Sequence, residues 1–178
     1  MWRNSSSHYG AISKILHWLL FILLAGLVVS GLAAEELGEH LEKVVMGLHI
    51  AVGTTVLLLV LIRLVWRVTN SVPALPATAQ RWENLLARLT HFALYVLMLA
   101  QPLTGVLMMQ FEGHSIDVFG LFSIPPLVAK NKSTGHLFEE MHEVLWIFLA
   151  LLVALHVAAA LYHHFIRKDD VLRRMTRG

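Results

Sequence analysis

Long apolar runs separated by short polar segments dominate the pattern of hydrophobic and polar positions along this chain. The apolar runs cover residues 15–34, 44–66, 85–109 and 144–166. Each is close to the ~20 residues that cross the ~30 Å hydrocarbon core of a bilayer as an α-helix. Because lipid offers the backbone no hydrogen-bond partner, such runs have to be helical. The pattern therefore predicts an all-α integral membrane protein, one domain over residues 1–178 that folds as an up-and-down four-helix bundle in the lipid bilayer.

The connections between the runs carry helix-breaking residues. Residues 70–79 contain two prolines and predict a turn. The longest connection, residues 110–140, is too apolar around residues 118–128 for a free loop, so we expect it to pack over the mouth of the bundle. Pro102 falls within the third run and predicts a kink in that helix.

The distribution of charge indicates the orientation of the bundle. Eleven of the 14 lysines and arginines lie in or beside the N-terminal segment, the second connection and the C-terminal tail, which share one side of the membrane. The positive-inside rule places both termini in the cytoplasm. The net charge of +2 thus reflects topology, and no nucleic-acid partner is expected. The basic residues of the other side are Lys43, Lys130 and Lys132, and its acidic residues are Glu35, Glu36, Glu39, Glu42, Glu112, Asp117, Glu139, Glu140 and Glu143.

Histidines inside the apolar runs are the most informative polar positions. Burying an imidazole in hydrocarbon costs free energy that a partner must offset. Matching depths along antiparallel helices pairs His49 with His142 near the outer ends, and His17 with His156 near the inner ends. His91 is a rival to His17 at the inner level. His142 and His156 are 14 residues apart on one predicted helix, on the same face and about 21 Å apart along its axis, which predicts two stacked metal centres.

The ligand types available narrow the chemistry of these centres. The chain has no cysteine, which excludes disulfides, iron–sulfur clusters, thiolate-ligated haem and covalently attached haem. Opposed imidazoles in an apolar slot are what a b-type haem requires. Zinc prefers four ligands in a tetrahedron, so it fits paired histidines less well. A metal-ion permease that uses the histidines as transient sites stays open as an alternative.

The ordered set of histidine-containing motifs resembles the bacterial cytochrome b561 family, and the resemblance covers almost the whole chain. The matching pieces are ILHW at 15–18, GLH at 47–49, RLVWR at 63–67, HFALY at 91–95, MHE at 141–143, and the closing stretch from Leu155-His156 through His163-His164 to KDDVLRRM at 168–175.

The resemblance implies a multi-pass cytochrome of the bacterial inner (cytoplasmic) membrane with two non-covalent haems b. The histidines that match the family's motifs are His17, His49, His142 and His156, the same four residues that depth matching selects. They imply axial pairs His49/His142 in the outer half and His17/His156 in the inner half. The resemblance also implies electron exchange with the quinone pool, and members similar to this chain include superoxide oxidases.

Further residues are candidates for contacts with these groups. Arg63 and Arg67 can form charge-assisted bonds to haem propionates. His91, His163 and Arg167 are candidate quinone contacts, since quinone reduction needs proton donors.

The electron donor on the outer side is less well defined by the sequence. Superoxide is one candidate, but the acidic excess of that side opposes the approach of an anion. A redox protein with a basic face fits the acidic residues at least as well. The alternative function is a haem-bearing membrane anchor subunit that relays electrons for a soluble redox partner. The sequence leaves the oligomeric state open, a homodimer included.

Overall fold

A computed structural model of the chain describes residues 1–34, 36–74 and 80–176. Glu35, Arg177 and half of the predicted turn 70–79 therefore lie outside the described residues. The helices are α1 (Ala11–Ala34), α2 (Glu39–Thr69), α3 (Arg81–Glu112) and α4 (Lys132–Tyr162), followed by a π-helical turn (His163–Arg167) and a short α5 (Arg173–Thr176). Within the described residues, four helices are long and apolar enough to cross a membrane. The prediction of an all-α four-helix membrane bundle is confirmed.

Helices α3 and α4 begin before their apolar runs, and polar side chains cap their first turns. At the start of α3, the side chain of Gln80 and the side chain of Glu83 form a reciprocal capping box. At the start of α4, the side chain of Asn131 accepts a hydrogen bond from the backbone N–H of Thr134. Helix α3 also continues through Pro102, which is buried in the bundle.

The helices pack in sequence order around a small apolar core. Contacts join α1 to α2, α2 to α3 and α3 to α4, as expected for an up-and-down bundle. Large apolar side chains also cover the outside of the bundle, where lipid replaces protein as their neighbour. The buried core residues, drawn from all four helices, are Leu20, Val56, Val60, Leu94, Met98 and Leu149.

The long connection between α3 and α4 folds into a short antiparallel hairpin that the sequence did not predict. Strand β1 (Ile116–Val118) pairs with β2 (Phe122–Ile124). Gly120 lies in the connecting turn with φ of 69°, a left-handed conformation that glycine adopts without strain. Ile116 is fully buried and β1 contacts α2. The connection therefore packs against the bundle, as its apolar residues predict.

The two ends of the bundle carry different segments of the chain. We call the end with the β-hairpin the outer end, and the end with the N-terminal segment and α5 the inner end. The C-terminal segment folds back over the inner end, where the indole Nε1–H of Trp18 donates to the backbone carbonyl of Met175 at 3.0 Å. Arg174 binds Asp170 at 2.9 Å, and this guanidinium holds the pKa of the Asp170 carboxyl below its ordinary value. The segment around Met175 is thus held against α1.

Candidate functional site

The outer level of the bundle brings the rings of His49 of α2 and His142 of α4 close together. Their ring centroids are 6.3 Å apart and the rings lie at 73° to each other. A bond from a first-row metal to an imidazole nitrogen is about 2 Å long, so two imidazoles on opposite sides of one ion have ring centroids roughly 6 Å apart. The spacing of this pair therefore suits one metal held between the two rings.

A hydroxyl on α1 fixes the tautomer of His49. Ser30 Oγ donates to the backbone carbonyl of Leu27 at 3.0 Å and lies 2.9 Å from His49 Nδ1. Because the hydroxyl proton is used by Leu27, Ser30 Oγ accepts the proton of Nδ1. The lone pair of His49 then sits on Nε2, the nitrogen free to bind a metal.

Two reciprocal hydrogen bonds hold His142 against α3. His142 Nδ1 donates to the backbone carbonyl of Gln101 at 2.9 Å, and the Gln101 side-chain amide donates to the backbone carbonyl of His142 at 3.1 Å. Thr104 Oγ1 also donates to the Gln101 carbonyl at 2.8 Å. His142 therefore presents Nε2 as its free nitrogen, as His49 does.

Two glycines leave room for these imidazoles. A Cβ atom added at Gly105 would lie 3.1 Å from Cε1 of His142, and one added at Gly31 would lie 3.4 Å from Cε1 of His49. The first distance is tighter than ordinary van der Waals contact, so any side chain at position 105 would push against the ring. The outer pair thus suits a haem held by two imidazoles. Both Nε2 atoms are free, both Nδ1 atoms have polar partners, and there is space for both rings.

The inner level holds three histidines rather than two. The ring of His156 on α4 lies 6.1 Å from that of His17 on α1 and 5.3 Å from that of His91 on α3. His91 Nδ1 donates to the backbone carbonyl of Ala87 at 2.6 Å, which leaves Nε2 of His91 free. The structure thus brings both His17 and its rival His91 beside His156, and His91 is the closer of the two.

Arg63 distinguishes the two rivals. Its guanidinium reaches His17 Nδ1 at 2.9 Å, the Leu16 carbonyl at 3.3 Å and the Tyr95 hydroxyl at 3.2 Å. Because arginine only donates, His17 Nδ1 accepts, and Nε2 of His17 carries the proton. Metal binding through Nε2 of His17 therefore requires the ring to change tautomer and to release Arg63.

Arg67 adds a second cation at the inner end. Its guanidinium lies over the Tyr95 ring at 5.4 Å from the centroid, and that of Arg63 lies at 5.8 Å. A cavity of about 30 Å³ adjoins both arginines and Tyr9. Burial raises the pKa of the Tyr9 phenol above its ordinary value, so the phenol stays protonated at neutral pH and can donate.

The other predicted quinone contacts lie in and around the π-helical turn. His163 Nδ1 lies 2.6 Å from an Asp169 carboxylate oxygen, and the two side chains are only 14% and 12% exposed. Arg167 lies 3.5 Å from the buried carboxylate of Glu83. These two pairs form a second polar group at the inner end of the bundle.

The described residues contain no group of three or more histidine, aspartate and glutamate side chains arranged to hold a metal ion. The histidines instead come together as neighbouring rings. Such pairs suit haem, because its porphyrin provides the other ligands of the iron.

Comparisons with known proteins decide the family. A family model described as prokaryotic cytochrome b561 matches residues 8–178. The chain belongs to the prokaryotic cytochrome b561 family. It is 33% identical to cytochrome b561 homolog 2 of Escherichia coli (strain K12) over 174 residues, which are 97% of this chain and 93% of that protein. It is 32% identical to cytochrome b561 homolog 1 of the same strain, over 90% of this chain and 92% of that protein. It is 25% identical to a probable superoxide oxidase CybB of Yersinia pestis, over 94% of each chain.

Membership confirms the family predicted from the histidine motifs. This cytochrome b561 is a multi-pass membrane protein of electron transport, an oxidoreductase that binds haem b.

Sequence reasoning missed the residues that support the histidines. These are Gly31, Gly105, Ser30, Gln101 and Thr104. A glutamine in the middle of an apolar run was a usable signal, since an amide in lipid needs partners. The glycines gave none, because small residues are common in packed membrane helices.

Proposed function

We propose that this cytochrome b561 holds two haems b at two levels of the bundle and transfers electrons between a donor at its outer end and the quinone pool. The observation that carries the proposal is the pair of facing histidine groups, with ring centroids 6.3 Å apart at the outer level and 6.1 Å apart at the inner level. When bound, haem b supplies the one-electron redox chemistry of its iron.

The outer ligands in this proposal are His49 and His142. Ser30 and the backbone of Gln101 accept the Nδ1 protons, which orients each ring and increases its basicity at Nε2. Buried apolar residues such as Val56 and Leu149 lie between the two levels. An apolar core therefore separates the two levels, and polar partners hold the outer rings in place.

The inner ligands in this proposal are His17 and His156. Arg63 then exchanges its bond to His17 for a carboxylate, and a haem propionate provides one at this end. Arg67 lies close enough to assist, since both guanidiniums stack on Tyr95. No salt bridge within the described part of the chain occupies either arginine, which supports the availability of both for a propionate.

Quinone is proposed to bind at the inner end, close to His91, His163 and Arg167. Reduction of a quinone to a quinol takes two electrons and two protons. The His163–Asp169 pair is suited to proton delivery, because the carboxylate holds the imidazole in one orientation and imidazole is a common proton donor in catalysis. The buried Glu83 orients Arg167 beside it.

The outer donor is the least constrained part of the proposal. Its chemistry has to be that of a one-electron reductant. Similarity to a probable superoxide oxidase supports superoxide. The exposed carboxylates of Glu36, Glu39, Glu42 and Asp117 favour a redox protein with a basic face instead. In that case the protein acts as a haem-bearing membrane anchor that relays electrons for its partner.

Quinone reduction by the purified protein tests the proposal and separates enzyme from anchor. We expect the dithionite-reduced chain, purified alone in detergent, to be reoxidised by a ubiquinone analogue in stopped-flow absorbance measurements. A chain that is reoxidised only when a co-purifying subunit is present would support the anchor function.

The His163–Asp169 pair gives a sharper prediction. His163→Ala should slow reoxidation by quinone about tenfold or more, because a positioned proton donor contributes at least that much, while haem content stays unchanged. The adjacent His164→Ala is the matched control and should react as the wild type does. Equal rates for the two variants would remove His163 from the quinone site.

A further inference from the structure

The polar partners of the two histidine levels differ in charge. At the inner level, Arg63 donates a hydrogen bond to His17 at 2.9 Å, and the ring of His17 lies 6.1 Å from that of His156. Arg67 lies beside Arg63 over the ring of Tyr95. At the outer level, the polar partners of His49 and His142 are neutral: Ser30, Gln101 and Thr104.

Among the described residues, no carboxylate of the chain forms a salt bridge with Arg63 or Arg67. The arginines that do form one at this end are Arg167, with Glu83, and Arg174, with Asp170. The only anion proposed for Arg63 is therefore a propionate of the bound haem. The groups that Arg63 does contact are a neutral imidazole, a backbone carbonyl and the phenol of Tyr95. Both arginines are partly buried, and electrostatic effects are stronger in such surroundings than in water.

We propose that Arg63, assisted by Arg67, raises the reduction potential of the inner site above that of the outer site and so directs electrons from the outer end to the inner end. The inference rests on the proposed function, since it concerns the redox groups that the two histidine levels hold. A site that gains an electron loses one unit of positive charge. A fixed cation therefore stabilises the reduced form of the inner site, and the described hydrogen bonds of the outer histidines come from neutral groups.

The electron balance of this step is simple. One electron leaves the outer site, which is oxidised, and enters the inner site, which is reduced, with no bond or proton exchanged. A one-electron donor at the outer end restores the outer site. Two such electrons and two protons convert one quinone to a quinol at the inner end.

The positive-inside rule predicts that the inner end faces the cytoplasm. The difference in reduction potential between the two sites then matters for electron transfer across an energised membrane. An electron that moves inward then travels toward the negative side of the energised membrane, and the membrane potential opposes it. A higher potential at the inner site offsets that opposition.

Redox titration of single-site proteins tests the proposal. His49→Ala leaves the inner site alone, and His156→Ala leaves the outer site alone. The potential of each site is read from visible absorbance as the solution potential is varied. We expect the inner site to titrate at the higher potential. Adding Arg63→Gln should lower it by about 59 mV or more, the equivalent of a tenfold change in the ratio of reduced to oxidised protein for one electron.

Three variants separate charge from other effects. Arg63→Lys keeps the charge and should retain most of the wild-type potential. Arg88→Gln removes an exposed arginine from the inner end of α3 and should not shift the potential of either site. Arg63→Gln in the His156→Ala protein should shift the outer site by much less than it shifts the inner one.

The result that overturns the proposal is an unshifted inner potential in Arg63→Gln, or an outer site that titrates above the inner site in the parent proteins. Either result leaves the proposed function intact, because both proteins would still carry haem. If Arg63→Gln does not retain its inner haem, Arg67→Gln takes its place, with a smaller shift expected in the same direction and no shift counting against the proposal. A wild-type protein without haem would refute the proposed function itself.

Discussion

Replacing His49 or His156 with alanine is expected to remove about one haem from a protein that holds two. The two residues belong to different levels, and each faces a partner ring at the distance that one metal between them requires. Alanine supplies no ligand, and the opposite histidine alone does not hold a six-coordinate iron. The haem-to-protein ratio of the purified variants, measured from the pyridine haemochrome spectrum, gives the result directly.

The control for this experiment is His40→Ala, which removes an exposed histidine at the start of α2 and should leave the ratio unchanged. Full haem content in either His49→Ala or His156→Ala would show that the proposed pairing is wrong.

The same measurement decides between the two inner rivals. His17→Ala should lose the inner haem and His91→Ala should keep it. The opposite pattern would make His91 the ligand, in accord with the free Nε2 atom that it presents next to His156.

Replacing Gly105 with valine is expected to expel the outer haem while the inner haem stays bound. The Cβ atom alone would lie 3.1 Å from Cε1 and 3.3 Å from Nδ1 of His142, and the two γ-methyl groups of valine fill the space around it. The ring would have to turn away from α3, which breaks its hydrogen bond to the Gln101 carbonyl. Gly105→Ala should give a weaker effect of the same kind, with a changed low-spin signal of the outer site in electron paramagnetic resonance.

Gly26→Val is the matched control for this substitution. Gly26 also lies in a membrane-spanning helix, but it is exposed on the outside of the bundle and nothing approaches within 4 Å of a Cβ atom built there. This variant should retain both haems. If Gly105→Val and Gly26→Val bind haem equally well, Gly105 does not make room for the His142 ring.

The architecture could be predicted from the sequence because each span is a continuous apolar run of the right length. The ends of the helices could not, since capping groups such as Gln80 with Glu83 extend α3 past the hydrocarbon. The hairpin was missed because strands of three residues are too short for an alternating pattern to be recognised.

The facing histidines could also be predicted, because depth along a membrane helix follows from residue number alone. Their supporting partners could not. Ser30 lies 19 residues from His49, and Gln101 lies 41 residues from His142. Whether such residues meet depends on how each helix is rotated about its axis. A helix that is apolar on all sides has no polar face from which that rotation can be predicted.

The most direct test of the central claim is the reduced-minus-oxidised visible spectrum of the purified wild-type chain, measured together with its haem-to-protein ratio. Two facing pairs of imidazoles predict low-spin b-type bands and about two haems per chain. A colourless preparation from cells with ample haem, or a ratio that does not exceed one, would contradict the account.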